Sequence, residues 1–185
     1  MISRANYTPS AAGGARIEKD GAKWTLVFVR ELRHSPEDVW DALTDPAQLR
    51  EWAPFDADAS LATVGAKAKL TTVRAPQPHV TETTVTRADA PRLLEYNWGD
   101  HPMRWELEPV GRGTRLTLWT TIPKSFIAMG AAGWHLCLDV LDHLLAGEPL
   151  GRIVGADAME FEPWHRLHAE YARLFGIEMP SWGTK

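Results

Sequence analysis

The spacing of apolar residues along the chain changes period more than once. From Ile127 the spacing is helical: Ile127, Ala131, Trp134, Leu138, Leu141 and Leu145 fall on one arc at 100° per residue, with Cys137 and Leu144 at its margin. This predicts a long amphipathic helix over Ala128–Gly147, closed by Gly147 as a left-handed cap and by Pro149 two residues beyond. His135, Asp139, Asp142 and His143 fall on the polar flank and are expected on a solvated face. Gly130 and Gly133 each cost a helix about 1 kcal/mol relative to Ala and read as an irregular first turn, the alternative being a close approach of backbone to the sheet or a wider cavity mouth.

Upstream the period is two. Trp24–Leu32 is the first predicted strand, with Trp24, Leu26 and Phe28 on one face. Further strands are predicted over Lys67–Arg74, Val80–Arg87, Leu93–Trp98, Met103–Val110 and Thr114–Ile122. Met103–Glu108 alternates strictly, so one face is dry and the other wet. The connections are too short for parallel crossovers, which leaves an antiparallel meander. Between the first two strands lie two short capped helices, one opening at Ser35-Pro36-Glu37-Asp38 and one at Asp45-Pro46-Ala47-Gln48. A last helix is expected from Pro163 to Phe175, with Trp164, Leu167, Tyr171 and Leu174 as its apolar side, covering Leu136 and Val140 of the long helix. Residues 1–15 have no period and read as a flexible tail. The organisation expected is a tail, one domain over 16–147, and a C-terminal extension over 148–185 packed on it.

Strand, helix pair, about six strands and a long helix is the helix-grip order. Val29-Arg30-Glu31-Leu32, then Ser35-Pro36-Glu37-Asp38-Val39-Trp40-Asp41-Ala42-Leu43-Thr44-Asp45-Pro46, with Leu49 and Trp52, resemble the opening of the START/polyketide-cyclase (SRPBCC) superfamily. They look most like the activator of 90-kDa heat-shock protein ATPase homologue-like family. Leu93–Trp98, Gly113–Leu118 and Gly133–Asp139 are also similar to bacterial members. The resemblance spans roughly residues 22–147 and implies an α+β fold. A curved antiparallel sheet of six or seven strands would wrap a C-terminal helix, with a cavity between them. It implies little about activity, because its motifs are structural and such proteins include lipid and hormone binders, aromatic cyclases and a co-chaperone module. The chain is expected to depart from the co-chaperone in lacking a separate N-terminal domain, and from the minimal domain in adding the helix after Pro163.

Composition narrows the function classes. A net charge of −4, with no basic run, disfavours binding to nucleic acid or anionic membranes. A single cysteine, Cys137, excludes an internal disulfide and a cysteine-based zinc site. No signal-peptide pattern or membrane-spanning apolar run is seen, so a cytoplasmic protein is expected. Neither a nucleophile elbow nor a phosphate loop is present. His135, Asp139 and His143 have metal-ligand spacing on one helix, but no metal or cofactor is expected from a solvated face. Nine tryptophans are the oddity, and large rings can line an apolar cavity.

The leading expectation is binding of a small hydrophobic or aromatic molecule between sheet and helix, without covalent chemistry. The candidate ligand-binding residues are Trp98, Trp105, Trp119, Trp134, Arg74, His79, Glu82 and His101. Tyr96, Asn97, Asp100 and Arg104 are further polar strand positions. One alternative is a cyclase- or dehydratase-like enzyme, which needs Glu82 to converge with His79 or His101. Another is a chaperone-interaction module, which needs an exposed apolar patch. A homodimer is a further possible assembly.

Overall fold

The computed structural model describes residues 3–179. A hairpin of β1 (Ala15–Asp20) and β2 (Lys23–Leu32) leads into α1 (Pro36–Thr44) and α2 (Pro46–Trp52). Then come β3 (Phe55–Ala57), β4 (Lys67–Thr72), β5 (His79–Thr84), β6 (Arg87–Asp89), β7 (Leu93–Trp98), β8 (His101–Val110) and β9 (Gly113–Thr121). The chain ends in α3 (Ile127–Leu145), α4 (Gly155–Glu160) and α5 (Glu162–Phe175). All strand pairs are antiparallel. The main sheet runs β1-β2-β9-β8-β7-β6, and β3-β4-β5 form a smaller one.

The strand expected over Val80–Arg87 joins the two sheets. Its first part, β5, pairs with β4, and its end, β6, pairs with β7. Val85 and Thr86 make the bend, where Val85 N–H donates to Ala66 O at 2.9 Å and Thr86 N–H to Glu95 O at 2.9 Å. The curved wall therefore changes pairing partner without an unpaired gap.

The helix pair forms as its caps require. Ser35 Oγ accepts from Asp38 N–H at 3.2 Å, and Asp45 Oδ1 accepts from Ala47 N–H at 3.0 Å. Trp40, Leu43, Leu49 and Trp52 are buried, and Trp52 Nε1–H donates to Ala42 O at 2.9 Å. Too short to stand alone, these helices plug one end of the sheet against α3. Gly147 adopts φ +77° just past the last turn of α3.

The structure departs from the sequence reading in three places. Residues 3–14 are held rather than loose: Tyr7 is 8% exposed, Val29 N–H donates to Gly14 O at 2.7 Å, and Arg166 Nη2 donates to Pro9 O at 2.7 Å. A segment without apolar period can still dock through backbone acceptors and one aromatic ring. Met1 and Ile2 lie outside the described residues. The strand β1 was not anticipated either, because Ala15–Asp20 carries only Ile17 as a β-former and depends on pairing with β2. In α5, Trp164, Leu167 and Tyr171 are buried but Leu174 is 55% exposed. Ten residues beyond Trp164 it has rotated about 80° from that residue's direction, onto the helix flank.

Candidate ligand-binding cavity

Where β7, β8 and β9 meet the first half of α3, the sheet and helix diverge and leave a cavity of about 640 Å³. The sheet contributes Trp98, His101 and Thr120, with Ile122 just past the end of β9. The helix contributes Gly130, Gly133, Trp134 and Cys137. The outer wall comes from the irregular Arg74-Ala75-Pro76 after β4 and from residues 153–164, where Val154 precedes α4, Met159 lies in α4 and Trp164 opens α5. Phe126 and Met159, 57% and 53% exposed, form the rim.

The lining is predominantly apolar and aromatic. Trp98 and Trp134 meet edge to face, with centroids 6.3 Å apart and planes at 83°. Trp98 Nε1–H donates to Thr72 Oγ1 at 3.3 Å, which anchors the ring. His101 Nδ1 lies 2.8 Å from Thr121 O; as the carbonyl only accepts, Nδ1 carries the proton and a neutral ring presents Nε2 as acceptor. Burial pushes the Cys137 thiol up to about 12, so at neutral pH it is an uncharged apolar filler.

Of the eight residues singled out from the sequence, Trp98, Trp134, Arg74 and His101 line this cavity. Trp105 lies one layer deeper, 1% exposed, between Trp134 at 5.6 Å and Trp52 at 6.1 Å. Trp119 points the other way. Trp105 pairs with Leu118, which is inward, so the next residue on β9 is outward; there Arg104 sits 5.2 Å over its ring. His79 and Glu82 are exposed on β5, with Glu82 paired to Lys69 across β4. They do not converge with His101, so the acid/base arrangement the cyclase alternative needs is not assembled. Tyr96 is buried under Trp105, donor to its hydroxyl at 3.3 Å. Phe126, Met129, Ile153 and Trp164 were missed as lining. The first three follow no stripe facing the sheet, and the helical period marks Trp164 only as part of the packing face of α5.

Gly130 and Gly133 are not an irregular turn, since α3 is regular from Ile127 onward. A Cβ at Gly130 would stand 2.6 Å from Ile122 Cδ1, whereas one at Gly133 would meet nothing within 4 Å. The first glycine lets the helix approach the strand end, and the second keeps the cavity open.

On another side of α3 the polar flank is buried rather than solvated, a correction for His135 and Asp139. His135 is 1% exposed and the Asp139 side chain 12%. Tyr7 Oη–H and Arg30 Nη1 both donate to the Asp139 carboxylate. Tyr171 Oη–H donates to Gly13 O at 3.0 Å, so at 2.8 Å it accepts from His135 Nδ1–H. His135 Nε2 then accepts from Ser10 Oγ–H at 3.3 Å. The N-terminal segment and α5 thus cover what periodicity marks as a wet face. Asp142 stays half exposed and pairs with His34 at 3.3 Å. Among the described residues no group of three or more His, Cys, Asp or Glu side chains forms a metal site.

Burial pulls the His135 imidazole down to about 4, against the opposing pull of Asp139. The unfolded chain therefore takes up a proton near pH 6.5 that the folded chain refuses until about pH 4. Stability is full above pH 6.5, falls as the pH drops toward 4, and levels off below for this group. Urea midpoints of wild type and His135→Asn at pH 7.5 and 4.5 check this. The wild type is expected to lose about 2 kcal/mol more than the variant across that window.

The match to known proteins is decided by the region that builds the grip. The family model for Activator of Hsp90 ATPase homolog 1-like protein matches residues 33–146, more than half of the chain. The chain belongs to this family. That match runs from just before α1 to the end of α3, so α4, α5 and the first hairpin of this family member lie outside it. Solved structures extend the fold further. The solution structure of BPP1335 from Bordetella parapertussis is 23% identical, covering 96% of this chain and 97% of that one with a TM-score of 0.62. EF2215 from Enterococcus faecalis is 16% identical over 89% and 92%, with a TM-score of 0.66. CalU16 from Micromonospora echinospora is 18% identical over 86% and 94%, with a TM-score of 0.61. These likenesses show the fold, and the coverage by BPP1335 takes in α4 and α5. No curated protein matches the chain. Among the described residues no helix is long and apolar enough to cross a membrane.

Proposed function

We propose that this family member binds a small hydrophobic or aromatic molecule between the sheet and α3, by burial and without covalent chemistry. The observation that carries the reading is Gly133, whose bare face opens on the roughly 640 Å³ cavity. A helix interior favours Ala over Gly by about 1 kcal/mol, so an open cavity is maintained here at the expense of helix stability. The volume lies in the range of small-molecule sites, and an apolar lining with few polar groups suits such a ligand. Among the described residues, Phe126 and Met159 are the large exposed apolar side chains at the cavity rim. Their position favours a small molecule entering a cavity over a protein laid across a flat patch.

Native mass spectrometry of freshly purified protein tests this directly. The expected result is a mass adduct that disappears on denaturation, with the released compound partitioning into organic solvent. No adduct, together with tryptophan fluorescence indifferent to a panel of apolar and aromatic compounds, overturns the reading.

A further inference from the structure

The cavity is polarised. Among the described residues no Asp or Glu lines it, and the one Lys or Arg that does is Arg74, at the outer wall. Arg74 is also the one non-glycine residue with positive φ among the described residues, at +57°. That conformation is held by the other half of the same wall: Ala156 N–H donates to Arg74 O at 3.0 Å. Gly155 permits the approach, because a Cβ there would stand 2.5 Å from Arg74 O. An αL residue other than Gly, Asn or Asp carries backbone strain, and such strain tends to sit at functional positions. Here it turns the chain sharply at the end of β4 and sets a cation at the cavity wall.

We infer that the ligand is an amphiphile with an anionic head, a carboxylate or its equivalent. Its apolar body lies against Trp98 and Trp134, and its head meets the Arg74 guanidinium. This assignment of ligand class rests on the hydrophobic-cavity reading above. Among the described residues the one acidic partner of Arg74 is Asp157, 3.3 Å from Nε, in a pair whose arginine side chain is 64% exposed. So exposed a pair is weak, and a ligand carboxylate offering two acceptors to the planar guanidinium competes with it. The other arginine near this wall, Arg152, is occupied elsewhere: it donates to Asp56 Oδ1 at 2.7 Å and to Ala53 O at 3.3 Å. Thr120 and His101 are the remaining polar side chains of the lining apart from the indole N–H groups, and neither brings negative charge.

Titration calorimetry with matched probes tests the inference: decanoate against decan-1-ol, and 2-naphthylacetate against its neutral amide. The wild type is expected to bind each acid about tenfold more tightly than its neutral partner, the size of one good charge-assisted contact. Arg74→Gln removes that preference, bringing each acid to the affinity of its neutral partner in the same variant, and Arg74→Lys retains part of it. Asp157→Asn, which frees the guanidinium, tightens the acids alone. Equal binding of acid and neutral probe by the wild type, or a preference that survives in Arg74→Gln, overturns the anionic head and leaves the apolar cavity standing. Failure of all four probes to bind overturns both.

Discussion

Asp139→Ala is expected to lower the unfolding free energy by about 3 kcal/mol, the low end for breaking a buried ion pair. The Arg30 guanidinium keeps only 20% of its side-chain surface exposed and would lose its carboxylate. Tyr7 Oη–H would lose its acceptor at the same time. Burial and the adjacent carboxylate push the Tyr7 phenol well above its ordinary range, so it serves as a donor at any physiological pH. Urea unfolding followed by circular dichroism measures the loss. Much of it is the cost of a stranded charge rather than the worth of the pair, so Arg30→Met in the same background should recover a large part. A cost of less than 1 kcal/mol for the single variant would mean that the N-terminal segment is not held through this carboxylate.

Gly133→Phe is expected to abolish ligand binding while the fold survives. The built Cβ meets nothing within 4 Å, so the ring enters the cavity rather than a packed core. Gly133→Ala should stabilise the protein by about 0.5–1 kcal/mol, through helix propensity alone. Gly130 supplies the contrast three residues earlier. There the Cβ would reach Ile122 Cδ1 at 2.6 Å, and Gly130→Phe should cost about 1–3 kcal/mol by overpacking. Melting temperatures and calorimetric binding of the same probes separate the two effects. Undiminished binding by a folded Gly133→Phe variant would remove the cavity from consideration as the ligand site.

The candidate site was half legible in the sequence. Trp98, Trp134, Arg74 and His101 reach the cavity, whereas Trp105, Trp119, His79 and Glu82 do not. Trp119 shows why. The alternation of β9 is plain in its residues, but which of its two faces is inward depends on the register with β8, where Leu118 stands opposite Trp105. Glu82 and His79 lie on the strand that switches sheets, and their exposure follows from that pairing rather than from local pattern. Trp164 was recognised as a packing residue, but its place at the cavity edge depends on how α4 and α5 fold back over α3.

What the sequence by itself determined is whatever short-range chemistry dictates. The caps at Ser35 and Asp45 start α1 and α2, the left-handed glycine follows the end of α3, and the alternating strands pair as an antiparallel grip around an apolar helix stripe. What the tertiary structure decided is the fate of the polar positions on that helix. Periodicity tells which side of a helix is dry, not what covers the other side. Asp139 and His135 are taken out of water by Tyr7, 132 residues away from Asp139, and by Tyr171, 36 away from His135. Their burial depends on partners whose spacing in the chain carries no local signal. The cavity is the same kind of outcome, because its outer wall forms only when the turn at Arg74 meets Gly155 from the far end of the chain.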